Sequence, residues 1–248
     1  MNIPTITGII RRRILVNYRA DAAVVQAQLP SNFRPKLFQG QAIVGICLIR
    51  LEQIRPQGMP AIIGIASENA AHRVAVEWQD EQGQAREGVF ISRRDTDSQL
   101  NALAGGRLFP GVHHLSRFDV SDEAGRITLR VQTEGQEQPL VDLVATETDA
   151  FPADSIFANL EASSRFFEAG CVGYSVRPDS CILDGLLLEV SGWSVSPLKV
   201  ESVHSAYFDN PALYPAGSAT FDHALIMRDI AHLWKARPQM RTEKEVLR

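Results

Sequence analysis

Over much of the chain, apolar and polar residues alternate with a period of two, and turn residues separate the alternating segments. Val74, Val76 and Trp78 fall on one side of such a segment, the spacing of a half-buried strand. Asp80-Glu81-Gln82-Gly83 reads as a hairpin turn, and residues 88–92 return as the partner strand. The pattern repeats at Ile127, Leu129 and Val131, with a turn at Glu134-Gly135 and a strand over residues 140–145. A β-branched run, residues 41–51 (QAIVGICLIRL), predicts a strand buried on both faces. Further strands are expected over residues 172–176, 181–190 and 193–203. Helical spacing is rarer. Asp21 is placed to cap a short helix over residues 22–29, stopped by Pro30. A second helix is expected from Asp154, with Ile156, Leu160, Ser163 and Phe167 on one face and Gly170 as its C-terminal cap. The spacing predicts a third, amphipathic helix from Thr220 to about Trp234.

Strands outnumber helices and arrive in hairpin order, without regular β-α-β alternation. The expected fold class is therefore α+β: a mainly antiparallel sheet curled into a partial barrel with a few peripheral helices. No repeat or linker divides the chain, so residues 1–248 read as one domain, with a charged tail over 237–248.

Composition narrows the function classes. The chain has 248 residues, 45% hydrophobic and 22% charged, an ordinary globular mixture. A net charge of −4 argues against a nucleic-acid module. Arg11, Arg12 and Arg13 form the one basic cluster and read as a solvated start of the chain. Cys47, Cys171 and Cys181 are odd in number and lack a C-x-x-C pair, so neither a disulfide framework nor a zinc ribbon is expected. Cys47 lies in an apolar run and reads as an inert core thiol. No secretory signal and no stretch of ~18 apolar residues is present, so a soluble, cytoplasmic protein without a membrane partner is expected. Lysine occurs only at Lys36, Lys199, Lys235 and Lys244. No imine-forming lysine can come from the middle of the chain.

Several motifs are missing: the phosphate-cradling G-x-x-x-x-G-K-[ST] loop, the G-x-G-x-x-G dinucleotide turn, the G-x-S-x-G nucleophile elbow and the H-E-x-x-H zinc helix. The informative segment is 95–116, DTDSQLNALAGGRLFPGVHHLS. Asp97 or Ser98 can cap a short helix through Ala104, Gly105-Gly106 ends it, and a loop then delivers Arg107, His113 and His114.

That layout resembles the acetoacetate decarboxylase-like superfamily: an acidic turn, an alanine-rich helix, a Gly-Arg pair, an aromatic (here Phe109) and two adjacent residues that are lysines in the decarboxylases. Residues 25–38 resemble the superfamily's amino-terminal element, and residues 166–176 (FFEAGCVGYSV) and 224–234 (ALIMRDIAHLW) are similar to its YqjF-like branch, so the likeness spans roughly residues 15 to 236. It implies a sheet curled around an internal pocket and, by analogy with relatives of this fold, a homo-oligomer. In the decarboxylases one lysine forms an imine while its cationic neighbour lowers its pKa. Here His113 and His114 stand at those positions, and imine chemistry is not expected.

Two function classes remain open. One is an acid–base enzyme (lyase, hydratase or isomerase) or a binding protein for a small oxo or hydroxy acid, without cofactor or metal. In it Arg107 and Arg73 would hold the carboxylate through paired hydrogen bonds, and His113 or His114 with Glu68 would move a proton. The other is a non-catalytic binding or scaffold protein of the same fold. A metal-assisted hydrolase is a weaker third, needing ligands such as His72 or Glu68 from distant segments. Each residue also has a structural reading: backbone-satisfied histidines, a solvated Glu68, arginines paired with an aspartate such as Asp95, and Asp95-Thr96-Asp97 as a capping turn. Adjacent residues on a strand face opposite sides, so at most one histidine of the pair is expected in the pocket.

Overall fold

A computed structural model describes residues 4–103, 111–177 and 181–243. The strands are β1 Ile6–Ala20, β2 Arg34–Pro35, β3 Leu37–Phe38, β4 Gln41–Pro56, β5 Ile65–Gln79, β6 Ala85–Thr96 and β7 His113–Glu123. They continue as β8 Arg126–Thr133, β9 Val141–Glu147, β10 Val172–Val176, β11 Ile182–Val190, β12 Ser196–Ser205 and β13 Ala219–Arg241. The helices are short: α1 Ala22–Gln28, α2 Gln99–Leu103 and α3 Leu160–Glu168. Asp21 caps α1 as expected, its carboxylate accepting the Ala23 and Val24 amides. The second helix starts later than its apolar spacing suggested, because Asn159 caps it by accepting the Ala162 amide. Residues ahead of that cap form turns and bends instead.

All thirteen strands join one mixed sheet, with β6 pairing in parallel with both β7 and β10. The sheet closes twice. A larger ring runs β6-β7-β8-β9-β12-β13-β1-β4-β5 and back to β6; a smaller one runs β6-β10-β11-β13-β1-β4-β5 and back to β6. The two rings share β13, β1, β4, β5 and β6. Alternate residues of these shared strands therefore enter different interiors.

This double closure explains the largest departure from the sequence reading. Residues 220–234 are not a helix but part of β13, which pairs with β12 near Leu225 and with β11 beyond Val190↔His232. Ala224 and Ile226 pack into the larger ring, while Leu225 and Met227 pack on the opposite face. A strand that is a wall between two interiors is apolar on both sides, so its period-two signal disappears and clustered apolar residues imitate a helical face.

The basic triplet is also placed differently from its sequence reading. Arg11, Arg12 and Arg13 sit inside β1, not at a solvated chain start, and only Arg11 is exposed. A register shift between Ile10 and Arg12 turns Arg12 into the end of the larger ring and Arg13 towards the smaller. Arg12 is buried against Glu68, with Nη2 at 3.0 and 2.8 Å from the two carboxylate oxygens.

The larger ring is filled. Ile14, Val16, Leu48, Leu129 and Leu143 are each buried in its interior. The smaller ring is not.

Candidate functional site

A cavity of about 120 Å3 lies inside the smaller ring, lined mainly by aliphatic side chains from β1, β4, β5, β6 and β11. Ile10, Leu51 and Ile54 join it from one apolar cluster, and Cys47 from another that contains Phe157 and Phe167. Its polar lining is concentrated in Arg13, Arg73, Arg94, His113 and Asn69. The register places several of these in one row across the sheet: Cys47 opposite Ala71, Ala71 opposite Arg94, and Arg94 opposite His113. A second register shift, between His72 and Arg73 against β6, changes the parity of β6. It brings Val89, Ile91 and then Arg94 to the cavity, where strict alternation would have delivered Arg93.

The guanidinium groups are short of acceptors. Arg73 is 4% exposed and donates one hydrogen bond, from Nη2 to Asn17 Oδ1 at 2.5 Å. Its Nε and Nη1 are buried without a partner. Arg94 reaches Ser175 Oγ from Nη2 at 3.3 Å, and its Nε has no partner. Burial pushes the Arg73 and Arg94 guanidiniums down to about 10, which still leaves both charged at neutral pH. Arg13 donates from Nε to Cys47 Sγ at 3.1 Å and lies over the Trp193 ring. Asp95, the carboxylate at this cavity, is already held by Arg93 at 2.9 and 2.8 Å and by the Ser116 hydroxyl. The cavity therefore carries buried positive charge and unused donors. Such groups are costly to leave unpaired, and an anion is the ligand that would satisfy them.

Residues 9–211 match the model of the DUF2071 family, described as an uncharacterized conserved protein. The chain belongs to the DUF2071 family. The fold of this DUF2071 chain is similar to that of acetoacetate decarboxylase from Legionella pneumophila, with a TM-score of 0.61, 16% identity and coverage of 96% of this chain and 90% of that one. An acetoacetate decarboxylase-like enzyme from Sphingomonas wittichii RW1 gives 0.62 and 14% identity over 99% and 95%. The enduracididine biosynthesis enzyme MppR, complexed with pyruvate, gives 0.58 and 13% identity over 97% and 91%. At these identities the likeness establishes an acetoacetate decarboxylase-like fold. No curated protein matches the chain significantly.

The residues singled out in the sequence are dispersed in the DUF2071 structure. Arg73 lines the cavity as the carboxylate-clamp reading needs, and its partner is Asn17 instead of an aspartate. His113 also lines it, half-buried; burial first, then the Arg94 charge, push its imidazole down to about 3, so it is neutral at ordinary pH. His114 points away and is exposed, as strand alternation requires. Glu68 is not at the cavity: it faces the larger ring, paired with Arg12, and burial lifts its carboxyl above the ordinary value against the pull of that arginine. Arg107 lies outside the described residues. His72 is fully buried in the larger ring beside Tyr207, and burial holds it at about 3. Among the described residues no three His, Cys, Asp or Glu side chains cluster to hold a metal ion. No described helix is long and apolar enough to cross a membrane.

Sequence reasoning missed Arg13, Arg94 and Cys47 as cavity residues. Cys47 lies within an apolar run, but Arg13 and Arg94 stand beside other arginines and carry no such signal, and which face each occupies depends on the two register shifts. It also missed a buried support for Arg73. Asn17 Nδ2 lies 3.2 Å from His223 Nε2, Ser163 Oγ lies 2.7 Å from the same nitrogen, and His223 Nδ1 lies 2.6 Å from Asp222 Oδ2. The amide N–H of Asn17 can only donate, so Nε2 accepts and Nδ1 carries the proton given to Asp222. This fixes the Asn17 amide with its oxygen facing Arg73. Burial pushes His223 below its usual value, which keeps it in that neutral form. The Ser163–His223–Asp222 arrangement has the order of a hydrolytic triad, yet Ser163 and His223 are 0% exposed and pack among Phe151, Phe157 and Phe167. It has no room for a substrate and serves as a brace.

Lysine is scarce here too. Lys36 borders a smaller void next to Arg73, where it pairs with Glu87 at 2.5 Å and covers the Phe166 ring. No lysine lines the main cavity among the described residues.

Proposed function

We propose that the cavity of the smaller ring binds a small organic acid, with Arg73 and Arg94 receiving the carboxylate. The observation that carries this reading is the Arg73 guanidinium, buried, charged and presenting two unpartnered nitrogens, Nε and Nη1, beside an unfilled space. Nε and Nη1 lie on opposite edges of the guanidinium, so a carboxylate would pair one of them with the second hydrogen of Nη2, and charge-assisted bonds of this kind contribute about 1.5–3 kcal/mol each. Arg94 serves as the second clamp in this reading, Arg107 lying outside the described residues. The aliphatic lining suits a short carbon chain behind the carboxylate. His113, neutral, stands at the same wall as the proposed acid, and its role in proton movement rests on that placement alone. Imine formation is not part of the reading, since among the described residues no lysine lines the cavity.

The pyruvate complex of MppR supports a small acid as the ligand class, because the two proteins share a fold. A scaffold protein would fill this space with side chains, and the open cavity favours binding over that alternative. Binding is tested by thermal shift and calorimetry against a panel of 2-oxo and 2-hydroxy acids. An acid at 100 times its dissociation constant should add ~2.7 kcal/mol of stability. Arg73→Met should remove that stabilisation while the unliganded protein becomes no less stable, because a costly buried charge is lost. A panel in which no acid stabilises the wild type would end this reading.

A further inference from the structure

We propose that Cys47 is the covalent nucleophile of the cavity, adding its sulfur to the electrophilic carbon of a bound 2-oxo acid. The inference rests on the carboxylate reading above and adds a reacting group to it. Cys47 sits in the middle of β4, between Leu15 of β1 and Ala71 of β5 in the register. Ala71 is small and leaves the space above the sulfur open to the cavity that both residues line. Arg13, two residues from Leu15 and on the same face of β1, aims its Nε–H at the sulfur from 3.1 Å. Arg73, two residues from Ala71 along β5, lines the same wall with its unpartnered, buried N–H groups. The thiol thus lies between a guanidinium that touches it and one that lacks an anion. A carboxylate on Arg73 would bring the adjacent carbonyl carbon towards the sulfur.

Of the side chains that can attack carbon, cysteine is intrinsically the strongest nucleophile without prior activation. The addition balances within the two reactants. The S–C bond forms as the C=O π bond breaks, the π pair moves to oxygen, and the proton leaving sulfur ends on that oxygen. The product is a hemithioketal, with no oxidant, reductant or leaving group. Arg13 is positioned to hold negative charge while it passes from sulfur to oxygen.

The test is selective alkylation in a Cys171→Ser/Cys181→Ser background, which removes the two exposed thiols. Iodoacetate and iodoacetamide deliver the same carbon electrophile with and without a carboxylate. The proposal expects iodoacetate to label Cys47 at least ~10-fold faster than iodoacetamide, read by peptide mass spectrometry. It expects pyruvate to slow that labelling and Arg73→Met to erase the preference. Equal rates, a preference for the neutral reagent, or no labelling by either would overturn it. Thermal shift of the Cys47→Ser protein with the same acids separates the two readings. Acid stabilisation together with failed alkylation sinks the nucleophile alone, whereas loss of acid binding in the wild type sinks the carboxylate site itself.

Discussion

The two rings of the sheet share five strands and have opposite interiors. The larger is packed with aliphatic side chains, and its buried arginine is matched by a carboxylate, as Arg12 is by Glu68. The smaller encloses about 120 Å3 and, among the described residues, leaves Arg73 and Arg94 without one. Neighbouring residues on a single strand belong to different interiors: Ile14 and Arg13, Ile46 and Cys47, His72 and Arg73. Stability and ligand binding are therefore separable at a distance of one residue. Close packing on one side holds the shared wall rigid enough for unpaired charge to persist on the other.

Substitutions on the filled side should damage stability and spare binding. Glu68→Ala should have the largest effect, on the order of 3–5 kcal/mol in urea unfolding, because it leaves the buried Arg12 guanidinium with only a longer contact to Asp122, at 3.4 Å. The stabilisation given by a bound acid should survive it. If Glu68→Ala instead keeps its stability and loses acid binding, the separation of the two interiors fails. Leu129→Ala, fully inside the larger ring, should cost about 3 kcal/mol by leaving a cavity there, again with acid affinity unchanged.

A smaller effect follows from pH. Burial holds folded His72 at about 3, whereas an unfolded histidine titrates near 6.5. The unfolded state thus binds the extra proton, so stability is complete above ~6.5 and is lost as pH falls towards 3, by up to about 1.4 kcal/mol per pH unit. His232, held at about 4 by burial, acts in the same direction. Unfolding midpoints measured between about pH 7 and about pH 4.5 should show this slope, and His72→Phe should reduce it by one proton. An unchanged slope would mean that His72 is not buried neutral. The smallest effect belongs to a site in neither ring. Asp21→Ala removes the α1 cap and should cost about 1 kcal/mol without altering acid binding or the pH slope.

The hairpins were readable wherever one face is polar. Ile127 to Val131, with exposed residues between its buried ones, kept its alternation because a strand with a wetter outer face must alternate. Val74 to Trp78 lies in a shared strand where Ala75 is buried too, and alternates in burial only at its outer end, from Val76 through Glu77. Strand β13 lost that signal, being buried on both sides, and Thr220 to about Trp234 passed for a helix. The candidate site was legible in residue type and not in place. Arg73 and His113 reached the cavity, while His114 and Glu68 were carried to other faces by the parity of their strands.

The alternating pattern and the sparse caps determined that this chain is rich in strands, and the scarcity of lysine determined which amine is missing from its middle. Which interior a residue enters was decided only in three dimensions. Side chains flip with every single-residue shift, and the shifts at Ile10–Arg12 and His72–Arg73 arise from how long paired strands bend to close two rings. That closure is a long-range property of strands remote in sequence, so no local pattern encodes it, and it is what assembles Arg13, Cys47, Arg73 and Arg94 around one space.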